Sequence, residues 1–332
     1  MFGLASAVLL ASALSVQAAR DLVWLGTETD NNWDLVTDNW FVKGDETKTR
    51  VCFESGDNVY FLENEWVTNS TQLVRTDTVH WAKEFDIGSI VISNDTASFT
   101  WRGNTSGYVD SLCFQAASID KYGNGNLATP FCFEWNCGFN MHGGRFISSN
   151  GSTHPVDYRN DTGSMHVSRT VSFLAGTTWD VTGGTGFGGA GNGAPLRVVF
   201  SNATLKVSQN NQYVSLPKVT LYDTTFSLAG STASARSLLF TGDIVVAGTE
   251  PTVIPSGRTL VFGRSDRALL NVKVDDVTGD GAADFTVAGM LCNMDVTAFG
   301  TTYAGYGNFR KTGAGTMSIT YHNNTFTGNV EI

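Results

Sequence analysis

The chain is predicted to be all-β: a right-handed parallel β-helix, or solenoid, closed by an N-terminal β cap. Three observations point there. Thirty-six glycines, only 16% charged residues and abundant Thr, Ser, Asn and Val describe short strands joined by tight turns. No amphipathic helical period follows the N-terminal apolar run. Finally, strands of one shape, Thr or Ser before alternating apolar residues, return at similar distances. They include Ala97-Ser98-Phe99-Thr100-Trp101, Thr177-Thr178-Trp179-Asp180-Val181, Ala203-Thr204-Leu205-Lys206-Val207 and Thr224-Thr225-Phe226-Ser227-Leu228. The steps from Trp179 to Leu205, Phe226 and Val246 are about 26, 21 and 20 residues, and a β-helix coil takes roughly twenty or more. A β-sandwich or jelly roll is the alternative, but its strands recur about every eight to twelve residues. In a coil, alternate apolar side chains stack inward on their equivalents above and below, while Gly or Asn takes the corners.

Each segment has a role in this scheme. Residues 1–18 hold the apolar run Phe2 to Val16 and the small-x-small pattern Val16-Gln17-Ala18, as expected of an export signal. Residues 19–84 form a Trp-rich capping segment in which Gly, Asn and Asp alternate with single large aromatics. Such short strands suit the cover that a solenoid needs over its terminal coil. Residues 85–332 form the solenoid itself. Within it, alternation across Phe131, Phe133, Trp135, Cys137 and Phe139 puts Cys137 on an aromatic, inward face. The five cysteines show no CxxC pair, so buried structural thiols are expected rather than a zinc site. The Gly-rich stretch 183–193 runs into Pro195 and a strand-like segment, not a helix, which makes it a loop rather than a phosphate cradle.

Two groups of residues are candidates for a site. Trp24, Trp33, Trp40 and Trp66 could form a sugar-stacking platform if their rings face solvent. Asp276, Thr278, Asp280 and Asp284 surround a Gly turn with a spacing that resembles a calcium loop, which makes calcium the one cofactor expected. That loop departs from the EF-hand pattern, with Thr278 at its third position and Val287 where a bidentate Glu would stand. No residue is nominated as catalytic. Asp275 and Asp276 are adjacent and so face opposite sides of a strand, and neither Gly-x-Ser-x-Gly nor His-Glu-x-x-His occurs. A formal charge of −10 without a basic cluster excludes nucleic acid and anionic membrane surfaces as partners. No stretch of the mature chain is expected to span a membrane as a helix.

The C-terminal segment resembles a known family. Lys311-Thr312-Gly313-Ala314-Gly315-Thr316-Met317-Ser318-Ile319, followed by Asn324-Thr325-Phe326-Thr327-Gly328, is similar to the autotransporter-associated β-strand repeat. That repeat reads Lys-x-Gly-x-Gly-Thr-Leu-x-Leu, a short turn, then Asn-x-Tyr-x-Gly-x-Thr. Met317 and Ile319 stand for its leucines and Phe326 for its tyrosine, and the chain ends within an incomplete copy. The opening unit of Trp24, Trp33, Asn39-Trp40 and Gly56-Asp57 also looks like the start of proteins carrying such repeats. The resemblance implies a right-handed β-helix passenger, secreted or held on a bacterial cell surface or outer membrane. Its implied work is non-enzymatic, as a scaffold or adhesin-like protein in contact with an extracellular glycan or surface partner. The alternatives are a polysaccharide-active β-helix enzyme (lyase or glycoside hydrolase) and a carbohydrate-binding module.

Overall fold

A computed structural model of the chain describes residues 18–26, 33–65, 72–75, 86–103, 112–129, 133–135, 137–148, 169–182, 196–208, 214–228, 238–262, 269–292, 296–298, 301–303 and 308–332. Among the described residues, the regular structure apart from one short 3-10 turn at Glu63–Glu65 is strand. The strands stack into long, almost wholly parallel sheets, as a β-solenoid requires. The first is a 14-stranded sheet that begins in the Trp-rich segment and continues to Val330–Glu331; the second has ten strands. Shorter sheets form a third side, among them a 4-stranded one built from Val214–Leu216, Leu238–Phe240, Thr259–Phe262 and Met290–Leu291. The chain visits the sides in turn. Lys218–Tyr222 lies in the first sheet, Thr225–Leu228 in the second and Leu238–Phe240 in the third, and Ile244–Ala247 then returns to the first, one coil on.

Register explains the core. In the first sheet, Leu22, Val59, Ile90, Ile119, Phe139, Val171, Val198, Val219, Ile244 and Val272 are successive partners, all buried. Two residues along each strand, Phe61, Ile92, Lys121, Met141, Phe173, Phe200, Leu221, Val246 and Val274 form a second inward column. The second sheet contributes Phe99, Leu127, Phe146, Trp179, Leu205 and Phe226 in the same way. Like side chains therefore pack on like, and Phe173 and Phe200 stack at 5.1 Å and 12°. Phe99, Trp179, Leu205 and Phe226, singled out by sequence, belong to one column. Val246 does not: it lies in the first sheet above Leu221. The step from Phe226 to Val246 thus crosses between sheets and is not a coil repeat.

Corners follow from backbone chemistry. The residue directly after a first-sheet strand has positive φ in several coils: Gly123, Asn202, Asp223, Gly248 and Gly313. Asn and Asp tolerate this region better than other side chains, and Gly without strain. Gly313 has a second reason to lack a side chain, because a Cβ there would collide with the Val274 carbonyl of the coil beneath.

The amino-terminal end is built differently. Asp21–Trp24 pairs in parallel with Asn58–Leu62, and so it already belongs to the first sheet. Trp40–Val42 lies antiparallel on its outer edge, and Arg50–Val51 antiparallel on that. The antiparallel pair covers an edge that would otherwise offer free N–H and C=O groups. Arg20 ties this end together, since its guanidinium donates to both oxygens of Asp57 and to the Cys52 carbonyl. The segment 131–139, read as one alternating strand, instead turns a corner between Phe133–Trp135 and Gly138–Met141, with Cys137 and Phe139 both buried.

Candidate functional site

A cluster of hydrogen-bonded polar side chains that could meet a ligand lies on the outside of the first sheet, where Ser118–Tyr122 runs beside Gly138–Met141. Alternation sends Ile119, Phe139 and Met141 inward and turns Ser118, Asp120, Tyr122, Asn140 and His142 outward. Asp120 lies opposite Asn140 in the register. It accepts hydrogen bonds from Asn140 Nδ2 (3.0 Å) and Ser118 Oγ (2.9 Å), and lies 3.0 Å from His142 Nε2. A carboxylate can only accept, so Nε2 carries the proton and Nδ1 keeps its lone pair in the neutral ring. Burial alone would raise the Asp120 carboxyl. The hydrogen bonds from His142, Asn140 and Ser118 outweigh it and hold the group below the usual carboxylate value. The Tyr122 ring stacks on His142 at 4.3 Å and 7°. This cluster can donate and accept hydrogen bonds from fixed planar groups. The Ser118 hydroxyl is committed to Asp120, so the imidazole holds no hydrogen-bonded nucleophile there.

The predicted tryptophan platform is corrected by burial. Trp24, Trp33 and Trp40 are 0%, 1% and 0% exposed and present no ring face to a sugar. They pack with Phe53 and Phe61 at ring distances of 4.9 Å (Trp24–Trp40), 5.1 Å (Trp33–Trp40) and 5.6 Å (Trp40–Phe61). The rings form the core of the cap. Trp66 lies outside the described residues.

At the expected calcium loop, the carboxylates are engaged in hydrogen bonds. Asp284 is fully buried, and its carboxylate accepts from the Val277, Thr278 and Thr316 amides and from the Thr278 hydroxyl. Asp276 accepts from the Gly279 amide and Asp280 from the Ala282 amide. These oxygens organise the turn, and Thr316 belongs to the next coil. Burial would raise the Asp284 carboxyl, but these donors hold it below its usual value. Among the described residues, no group of three or more His, Cys, Asp or Glu side chains is placed to hold a metal ion.

A related use of carboxylates recurs at the corners. Glu63 accepts from the amides of Asp95, Thr96 and Ala97 and from the Thr96 hydroxyl, one coil on, and these bonds pull it down to about 2. Asp223 accepts from the Thr249 and Glu250 amides. Cys52 and Cys292 are free thiols; Cys137 and Cys292 are buried, and burial pushes the Cys292 thiol up. Cys132 and the Gly-rich loop 183–193 lie outside the described residues. The cleft beside the Glu63 corner is open, with a volume of about 380 Å³, and is lined by Leu62, Asn64, Glu65, Ser93, Asp95 and Thr96 along with Glu63.

The Asp120–His142 pair escaped the sequence reading. Its members are 22 residues apart and meet only because that coil is short, with Ile119 opposite Phe139. Knowledge of the register would have revealed it. The chain matches no protein family, no curated protein and no solved structure.

Proposed function

We propose that this protein is an exported, non-enzymatic solenoid scaffold or adhesin-like protein, which holds its outer faces toward extracellular, carbohydrate-bearing surroundings. The observation that carries this reading is the 14-stranded first sheet. At about 4.8 Å per strand it makes a stiff rod roughly 60 Å long. A rod suits display at a distance, because its stability comes from contacts between neighbouring coils and leaves the outward side chains free to vary. The resemblance to the autotransporter-associated repeat supports the same reading. Its Lys311-x-Gly313-x-Gly315-Thr316 run occupies one corner, where the chain passes from Phe309–Thr312 to Thr316–Ile319. Phe326, in the tyrosine position, packs on Phe309 at 5.6 Å. Among the described residues, no helix is long and apolar enough to cross a membrane.

The test is expression of the full-length chain in a bacterial host. Cell fractionation, N-terminal sequencing, glycan-array binding and product assays on the same polysaccharides then follow. Export with cleavage near Ala18 and binding without product is the expected result. Retention in the cytoplasm, or release of reducing or unsaturated sugar ends, would overturn the scaffold reading.

A further inference from the structure

We propose that the Asp280–Gly281 step is a self-modification site, where the chain converts to isoaspartate through a cyclic succinimide. It is the one Asp-Gly step in the sequence, and it lies in the turn between Leu270–Val274 and Ala283–Val287. Glycine matters because the ring closes through its nitrogen, and a Cβ on that residue hinders the approach. Asp280, Gly281 and Ala282 are exposed, and nothing lies within 4 Å of where a Gly281 Cβ would sit. Among the described residues, the Gly281 amide has no backbone acceptor to hold it away. The Ala282 amide donates to Asp280 Oδ1 at 2.7 Å, which folds the carboxylate back over the intervening peptide and brings Cγ toward the Gly281 nitrogen. The same N–H stands at the oxygen on which negative charge gathers as the nitrogen adds.

The step needs no co-reactant but water. The Gly281 nitrogen bonds to Asp280 Cγ, and a carboxylate oxygen leaves as water, taking the amide proton and a proton from solvent. Water then opens the ring. Cleavage between Cγ and the nitrogen restores aspartate. Cleavage between the main-chain carbonyl carbon of Asp280 and the nitrogen leaves the chain running through Cβ and Cγ, with a carboxylate on Cα. That product keeps the mass of the parent and has a longer backbone. The roots of the turn are held independently, because Asp284 accepts from the Val277 and Thr278 amides and Asp276 from the Gly279 amide. The extra length is therefore taken up between Gly279 and Ala283, and the ladders on both sides persist. Intrinsic chemistry ranks the Asn124–Gly125 step higher, since a carboxamide loses ammonia more readily than a carboxylate loses water. The fold reverses that order. Gly125 is buried, its amide donates to the Asn94 carbonyl of the preceding coil at 2.8 Å, and a Cβ there would collide with the Ala97 carbonyl. The nitrogen that the ring needs is held in place.

The experiment is peptide mapping of the full-length chain aged in neutral buffer. Isoaspartyl methyltransferase labels the product, and an endoproteinase that cuts before aspartate but not before isoaspartate locates it. Label should accumulate in the peptide that holds Asp280, with the thermal midpoint unchanged. Gly281→Ala, whose methyl fits the open space, should lower the yield by roughly an order of magnitude. Asp280→Asn protein should deamidate at that position while Asn124 keeps its amide, and denaturant should release Asn124. Asn150–Gly151 and Asn192–Gly193 lie outside the described residues, and mapping separates them. An Asp280 that stays aspartate on ageing, or a yield unchanged in Gly281→Ala, would overturn the site. Deamidation of Asn124 in the folded chain at its denatured rate would overturn the protection ascribed to the fold. A lowered thermal midpoint in the labelled fraction would overturn containment within the turn.

Discussion

Lys121 occupies a position that its neighbours in the column fill with Ile92 and Met141, and it is fully buried. Its ammonium reaches the corner and donates to the carbonyls of Tyr122 (2.6 Å) and Gly123 (2.8 Å), with Gly143 of the next coil at 3.4 Å. Burial pushes the group from 10.5 down to about 8, although Asp95 and Glu63 act the other way. The direction of the pH effect follows. Between about 8 and 10.5 the unfolded chain holds a proton that the folded chain has released, so folding is favoured increasingly as pH rises through that window. Below it, the fold must keep a buried charge. Relative to Lys121→Met, the parent should therefore gain on the order of 2–3 kcal/mol of stability from pH 8 to 10.5. Denaturant unfolding across that range reads the difference, and parallel profiles would refute it. The same Lys-x-Gly-x-Gly spacing returns at Lys311, whose ammonium donates to the Gly313 carbonyl at 2.8 Å. In both places a lysine secures the turn that follows it.

At the scale of the element, the cap is the unit whose loss has the clearest consequence. Its antiparallel strands are short, and the aromatic cluster beneath them, not their hydrogen bonds, holds them down. Trp40→Ala should cost about 3–5 kcal/mol and expose the edge formed by Asp21–Trp24. Trp40→Phe should recover much of that loss. Equilibrium unfolding measures the first effect, and light scattering near the transition reports the self-association that an uncovered edge invites. A Trp40→Ala protein as stable as the parent would contradict the capping role. Here the sequence could be read only halfway. Turn residues between single aromatics identified a cap, but isolated tryptophans have no alternation to tell inward from outward. Trp24, Trp33 and Trp40 remained ambiguous until the sheet edge placed them.

Across the whole molecule, what was legible is what repeats. The columns through Phe99, Trp179, Leu205 and Phe226 left a pattern of Thr or Ser before apolar alternation, because an inward position on a parallel strand tolerates little else. Coil length was not legible. The step is 20 residues from Ile119 to Phe139 but 32 from Phe139 to Val171, since insertions at corners do not disturb the ladders. Any site assembled across coils, such as Asp120 with His142, is hidden by that variation. The local spacing at Asp276 to Asp284 was visible, but the donors that satisfy Asp284 were not, because they include Thr316 of the next coil. A consequence of stacking coil upon coil concerns mechanical load. Stretched between its two termini, such a rod has no distant contact to share the strain, so it should peel from its outermost coil inward. Coils of 20 to 32 residues would release roughly 70 to 110 Å of chain each, and single-molecule pulling should show a train of steps graded by coil length rather than one large rupture. The spring so described would lengthen under shear and rewind when released.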